Sequence, residues 1–390
     1  MIDAPDPLVS RPPILYVITD LNTGGVPLHL LRLAEGIRDR GFEPHVISLA
    51  PPGPVSVQLR QRGIATYDCR AAGSWDLAVI RRLVRHIRRI KPALVHSFLF
   101  HANLAARLAV PAAGGSHRRL ICEIQTVEIE RRWHLTVGGM THRMSRWIVG
   151  NSPSVIDHLH RRAWVSRSRL RCIPGGVDAE SIRRAAPADR SALGLRKDRP
   201  IVLWVGRMDP VKGLDELIAA FAVVIKQTPA ELVLVGDGAY AAPVRAMINR
   251  LRLTDTVRQL GRRDDVASLL KLADVFAFPS RTEGMPNALL EAMAAGCPIV
   301  TTDVPGCRDV VEHERTALIV PSGHSPSLAD AIVRLLNDRA LARRLGDHAS
   351  RQVDAQFTFD RCLDRYESLY RELLSEPAGQ HVHLGPQSIL

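Results

Sequence analysis

Short apolar runs, each separated from the next by a stretch that reads as helix, recur from residue 14 to residue 321, and this alternation limits the fold more than any other feature of the chain. The first half gives ILYVIT (14–19), HVISL (45–49), IATYDC (64–69), ALVHSF (93–98), RLICEI (119–124), WIVGNS (147–152) and LRCIP (170–174). The second half gives IVLWVG (201–206), ELVLVG (231–236), VRQLG (257–261), DVFAFPS (274–280), PIVTTD (298–303) and ALIVP (317–321). Runs this apolar suit strands buried on both faces, and helical connections between them require parallel pairing with helices on either side. The expectation is therefore an α/β chain of two doubly wound parallel-sheet (Rossmann-like) domains facing a cleft. Ligands of such sheets bind beyond the carboxyl ends of the strands, so the loops there are where chemistry is sought.

The boundaries follow from local composition. Residues 1–178 form the first domain, with 1–13 flexible, and residues 179–356 the second, entered through a polar, basic and proline-containing segment at 179–199. A helix over 357–374 carries Phe359, Leu363, Tyr366, Leu369, Tyr370 and Leu373 on one face, so it must pack. Residues 375–390, rich in Gly, Pro, Gln and His, read as a disordered tail.

Charge and cysteine usage narrow the class. Residues 1–180 hold 25 Lys and Arg against 14 Asp and Glu, whereas residues 181–390 hold 27 against 26, so the net charge of +12 lies almost wholly in the first half. Such a surface favours phosphates, nucleic acid or an anionic membrane. Nucleic acid is disfavoured because no basic-aromatic motif occurs and aromatics are only 5% of the chain. The six cysteines show neither a C-x-x-C pair nor zinc spacing and read as reduced thiols, which points to the cytoplasm. The first residues lack the basic start and apolar core of a signal peptide, and no run approaches the length of a membrane span. Any membrane contact is expected to be peripheral, on the inner face. The segment 76–92 is its candidate, with Leu77, Ile80, Val84, Ile87 and Ile90 on one face and Arg81, Arg82, Arg85, Arg88 and Arg89 on the others. The alternative is a helix that covers its own sheet with solvated arginines.

Four loops can carry chemistry. After DVFAFPS comes RTEGMPNALLEAMAAGCP, expected to open a helix over 285–295, with Pro286 at its first position. The unpaired amides around Asn287 and Ala288 then make an anion site, with Glu283 just before and Glu291 two turns on. Each carboxylate alone also reads as an ordinary helix-end or solvated charge. After IVLWVG, the loop RMDPVKG presents Arg207 and Lys212, two cations that can clamp a diphosphate, each charge-assisted bond contributing about 1.5–3 kcal/mol. After ELVLVG, the string G-D-G-A-Y-A matches a dinucleotide fingerprint, but Asp255 precedes a strand instead of ending one, which argues against nicotinamide binding. After ILYVIT, Gly24 and Gly25 either admit a ligand close to the backbone or form a tight turn.

Across residues 14–374 the chain resembles the retaining glycosyltransferases of family 4, whose architecture is the two-domain B-type fold. The resemblance rests on E-G-M-P-N-A-L-L-E, an E-x7-E motif at Glu283 and Glu291, with G-R-M-D-P-V-K-G, V-G-D-G, L-G-R-R-D-D-V, G-G-V-D (175–178) and the early G-G in the family's order. It implies that Arg207 and Lys212 hold the donor diphosphate, that Glu291 bonds the ribose hydroxyls and that Glu283 faces the donor sugar. It implies further that the backbone at Asn287, Ala288 and Leu289 cradles the distal phosphate, that Gly236, Gly284 and Met285 join the donor site, and that Arg263 lies by the base. Gly24 and Gly25 would let the acceptor-side loop approach the phosphates, and the last helix would cross back to the first domain. The chain departs from the family at Gln125, where many members carry a histidine, and at Gly175, where Asn is usual. His101, after ALVHSF, is then a candidate contact to donor sugar or acceptor, its alternative being a helix-capping role.

No D-x-D triplet occurs, so no metal or other cofactor is expected; Arg207, Lys212 and helix amides would stabilise the departing diphosphate instead. The implied activity is transfer of a sugar, with retention, from a nucleotide-diphosphate donor to a cell-surface glycan or lipid-linked acceptor. The alternatives are a sugar-nucleotide epimerase of the same fold and a non-catalytic sugar-nucleotide-binding protein.

Overall fold

A computed structural model describes residues 11–73, 76–125 and 132–376. Most of the N-terminal segment and nearly all of the tail expected to be disordered lie outside these residues, as do 126–131 after Gln125. The chain divides into two compact units, one of residues 1–174 with 362–390 and one of residues 175–361.

The first unit is a seven-stranded sheet of β1 (Pro13–Ile18), β2 (Glu43–Ser48), β3 (Ala65–Asp68), β4 (Leu94–Phe98), β5 (Leu120–Ile124), β6 (Trp147–Gly150) and β7 (Leu170–Cys172). Its spatial order is β3-β2-β1-β4-β5-β6-β7, with every pair parallel. The second unit repeats the plan with β8 (Ile201–Val205), β9 (Glu231–Val235), β10 (Val257–Gly261), β11 (Val275–Phe278), β12 (Ile299–Thr302) and β13 (Leu318–Val320) in the order β10-β9-β8-β11-β12-β13, again all parallel. Each apolar run of the sequence is a strand, shortened mainly at the end where polar or turn residues leave the sheet.

Strand order reverses between β1 and β4 in one unit and between β8 and β11 in the other. At such a reversal adjacent loops leave toward opposite faces and open a crevice, where open α/β sheets take ligands. The sheets are clad on both faces. Leu203, Val233, Phe276 and Phe278 point to one apolar cluster of the second unit, and Val202, Trp204, Leu232 and Leu234 to the other.

The polar segment 179–199 belongs to the second unit: Ile182 and Leu195 are buried in its core and Ala188 N–H donates to Ser268 O at 3.0 Å. The last helix spans Phe359–Ser375, and its residues from Cys362 onward belong to the first unit, with Leu363, Tyr366, Leu369, Tyr370 and Leu373 all buried and Phe359 half-buried. The basic helix spans Ala78–Ile90 and buries Val79, Leu83 and Ile87. Leu77, assigned above to its apolar face, precedes the helix and is 75% exposed. The buried stripe is thus rotated from the expected one, with Ile80, Val84 and Ile90 on its margin.

Candidate functional site

In the second unit, three loops leave the carboxyl ends of β8, β11 and β12 and press on one another at the strand-order reversal. Gly213, after β8, adopts φ +65°, and a Cβ there would come within 2.0 Å of Pro279 O. Gly306, after β12, sits against the next turn, where a Cβ would meet Glu283 O at 2.4 Å and Gly284 O at 2.5 Å. Only glycine allows backbones this close, so the two positions fix how near the loops lie.

The closeness places Lys212 against Glu283. Lys212 Nζ donates to Glu283 Oε1 at 2.6 Å, with the two side chains 19% and 10% exposed. Beneath them Cys307 is buried, which pushes its thiol up to about 12 and leaves it uncharged at neutral pH. The following helix begins at Asn287, one residue past Pro286, instead of at the expected 285, because Pro286 is extended at ψ 102°. Leu289 N–H donates to Pro286 O at 3.1 Å, so that amide, expected to cradle phosphate, is already used. The first helical amides, at Asn287 and Ala288, have no acceptor within the helix by its geometry. A primary ammonium, a carboxylate and a helix amino end therefore stand on adjoining loops. Glu291 is half-buried one turn further along the same helix.

The other expected donor residues have different partners. Arg207 is 64% exposed and lies 3.5 Å from Asp209, so the two cations of the β8 loop are not bound up in the same contacts. Arg263 is forked onto Asp265 by two 2.8 Å bonds. Met285 Sδ accepts from Gly175 N–H at 3.0 Å, which gives the glycine in place of the usual Asn a contact of its own. Gly236 takes φ +132° and Gly238 φ +157°; a Cβ would lie 1.8 Å from Gly206 O at the first and 2.3 Å from Met208 O at the second. The glycines of the dinucleotide-like string are thus explained by backbone packing between the β8 and β9 loops.

Sequence reasoning passed over Arg281, two residues before Glu283. Its guanidinium donates to Glu216 Oε1 at 2.9 and 2.7 Å, to Asp215 Oδ2 at 3.0 Å and to Pro210 O at 2.8 Å. Glu216 first, and Asp215 with it, hold that guanidinium above arginine's ordinary value. The signal available was only a cation beside the E-x7-E string.

In the first unit the reversal lies between β1 and β4. Gly24 is extended at φ −175°, which any residue adopts, so it forms no tight turn, and Gly25 starts the helix Gly25–Asp39. After β4, Leu99 is held at φ +72° immediately before the helix Phe100–Ala112, a conformation that costs a non-glycine residue about 1–3 kcal/mol. It is fixed by Asn103, whose N–H donates to Leu99 O at 2.9 Å and whose Nδ2 donates to Glu123 O at 2.9 Å. His101 follows, half-buried, its ring edge-on to Phe100 and His134 at 5.3 and 5.5 Å. Burial pushes its imidazole below the ordinary value, so the ring is neutral at neutral pH.

Glu123 was passed over in the sequence, although a lone carboxylate in an apolar strand was itself the signal. It is fully buried. Tyr366 OH donates to its Oε2 at 2.7 Å, Gln125 Nε2 donates to its Oε1 at 2.5 Å, and His96 Nε2 lies 3.0 Å from Oε2, off hydrogen-bond alignment. Tyr370 OH bonds His96 Nδ1 at 2.8 Å and Tyr16 OH at 3.3 Å. Burial raises the Glu123 carboxyl, but contact with His96, the fields of His96 and His29 and the Gln125 bond together hold it below the ordinary carboxylate value. Gln125, at the family's histidine position, is therefore tied down by this carboxylate.

Two family models match the chain, one described as glycosyl transferases group 1 over residues 186–352 and one as glycosyltransferase family 4 over residues 23–181. N-acetyl-alpha-D-glucosaminyl L-malate synthase of Bacillus anthracis is 32% identical over 183 residues, 47% of this chain and 48% of that protein. Alpha-D-kanosaminyltransferase of Streptomyces kanamyceticus is 27% identical over 393 aligned residues, 89% of this chain and 100% of that protein. The chain thus spans about half of the first relative and all of the second. Among solved structures, Anabaena HepE in complex with UDP and glucose superposes with a TM-score of 0.84 at 22% identity, covering 93% of this chain and 100% of that one.

Proposed function

From a chain that belongs to glycosyltransferase family 4 and has that family's B-type fold, we propose a retaining transferase that moves a hexose from a nucleotide-diphosphate donor to a glycan or lipid-linked acceptor. The observation that carries the proposal is the Lys212–Glu283 ion pair across the two loops at the strand-order reversal of the second unit, with Glu283 four residues before the amino end of the helix Asn287–Ala294.

As the bond from anomeric carbon to phosphate lengthens, negative charge gathers on the departing diphosphate and positive charge on the sugar. Lys212 and the Asn287 and Ala288 amides stabilise the former, and Arg207, exposed on the same loop, adds its charge when the diphosphate arrives. Glu283 faces the sugar and Glu291 the ribose; Gly236, Gly284 and Met285 line the donor, with Arg263 by the base. Gly24, Gly25 and the neutral His101, at the reversal in the first unit, serve the acceptor side. No metal is required, because fixed cations and amides supply the charge; full turnover in excess chelator is the expected result. HepE's complex with UDP and glucose and the kanosaminyl transfer for which the Streptomyces relative is named support a sugar-nucleotide donor.

The direct test is thermal-shift screening with UDP-, GDP- and ADP-sugars. A ligand at a hundred times its Kd stabilises the folded state by about 2.7 kcal/mol, so the true donor class should stand apart. No shift with any of the three would remove the proposal, and release of an altered free sugar without an acceptor would replace it by an epimerase.

A further inference from the structure

Near the candidate donor site, the Arg281 guanidinium spends its hydrogen bonds on protein groups. Every nitrogen of its guanidinium is engaged: Nε with Glu216, Nη1 with Pro210 O, and Nη2 with both Asp215 and Glu216. Its own backbone N–H donates to Val211 O at 2.8 Å. The residues it grips, 210, 211, 215 and 216, bracket Lys212 on both sides along the chain. The residue that grips Lys212 itself, Glu283, is two positions from Arg281 on the β11 loop.

We propose that Arg281 is a positioning residue for diphosphate recognition: its planar fork staples the β11 loop to the β8 loop so that the Lys212 ammonium is held at the amino end of the helix starting at Asn287. The inference rests on the function proposed above and names what sets its geometry. Two consequences of the clamp support it. The first is steric. With Gly213 already in contact with Pro279 O, the loops touch on one side of Lys212, and Arg281 closes the other, leaving the ammonium a short arc in which to move.

The second is electrostatic. Asp215 and Glu216 lie in the first turn of the helix Leu214–Gln227, three and four residues past Lys212. Unpaired, they would compete for its ammonium and repel a diphosphate. Paired with Arg281, one of their two negative charges is offset and both carboxylates are engaged before any ligand arrives; the Glu216 side chain is only 13% exposed, so solvent alone screens it poorly. An arginine is needed because a lysine offers one point charge and cannot span two carboxylates and a carbonyl at once.

The experiment compares wild type, Arg281→Lys and Arg281→Gln by melting temperature and by calorimetric Kd for a nucleoside, its monophosphate and its diphosphate, using the base that wild type binds best. The expected result is a Kd for the diphosphate raised about tenfold to a hundredfold in both variants, with affinity for the nucleoside unchanged and the monophosphate between them. Arg281→Lys keeps the charge and the exposed position, so it remains a folded comparison if Arg281→Gln does not. Unchanged diphosphate affinity in a folded variant overturns the inference, as does an equal loss for nucleoside and diphosphate, which would mark general loosening. If wild type itself binds no nucleoside diphosphate, the proposed function fails, and this inference fails with it for that distinct reason.

Discussion

Both units hold a cluster centred on a carboxylate near the carboxyl end of their sheets, Glu123 with His96 in the first and Glu283 with Lys212 in the second, and the two pairs are built on opposite terms. Glu123 in the first unit has no solvent exposure and each oxygen already engaged, by Tyr366 and His96 on one and Gln125 on the other. Lys212 and Glu283 in the second unit keep 19% and 10% of their side-chain surface and bond each other through one oxygen. A buried charge that loses a partner has no water to replace it, so the first network cannot exchange partners and serves to lock elements together. The second can. Its ammonium has bonding capacity to spare, and a bound phosphate can take it up without leaving a buried charge stranded. The difference separates a charge cluster that holds the fold from one that can bind a ligand.

The largest expected effect tests the locked side. Glu123→Ala strands His96 and Tyr366 and should lower stability by about 3–5 kcal/mol, read as a loss in the unfolding midpoint, with Tyr366→Phe giving a smaller loss in the same direction. The pH dependence carries the same signature. The folded carboxyl lies below its ordinary value, so its contribution is complete above that value and disappears as pH falls through the folded one. Wild type should therefore lose stability on acidification below about pH 4, and Glu123→Gln should show a shallower acid limb. Equal acid limbs would mean that Glu123 is not the charged centre of the network.

The next effect tests the exchangeable side. Lys212→Ala should weaken nucleoside diphosphate by about 1.5–3 kcal/mol, or roughly tenfold to 150-fold in Kd, while changing the melting temperature much less than Glu123→Ala does. If the ranking were reversed, with Lys212 governing the fold and Glu123 dispensable to it, the contrast between the two pairs would be wrong.

How much of this was legible follows the same division. All thirteen strands were visible, because a strand buried on both faces must be a continuous apolar run, and such runs stand out without any knowledge of partners. Lys212, Glu283 and Asn287 were visible because loop position and residue type alone mark an anion site. Glu123 was overlooked because its function is set by His96, Tyr366 and Tyr370, which lie far from it in sequence and meet it only through the fold. Arg281 was overlooked for a related reason: its role depends on what its three nitrogens reach, and spacing does not encode that. Leu77 was misplaced since a helix so rich in arginine offers two nearly equivalent apolar stripes. Packing on the sheet selects the stripe of Val79, Leu83 and Ile87.

That same helix supplies the smallest prediction and a third kind of charge. Its five arginines looked alike in sequence, as a basic face free to meet a membrane, but the structure divides them. Arg82 bonds Cys69 O, reaches Arg70 O at 3.1 Å and pairs with Asp76 Oδ2 at 3.0 Å, and Arg88 donates to Ala112 O at 2.9 Å. Arg89 lies over the Tyr67 ring at 4.9 Å. Arg81 and Arg85 are exposed, and their charges are spread in water. Arg82→Gln should cost about 1–2 kcal/mol by removing charge-assisted bonds to half-buried acceptors, whereas Arg81→Gln should stay within about 0.5 kcal/mol. Chemical denaturation of the two variants side by side checks this. Equal costs would show that the arginines act as one diffuse surface; unequal costs would show that part of the basic face is engaged by the protein itself.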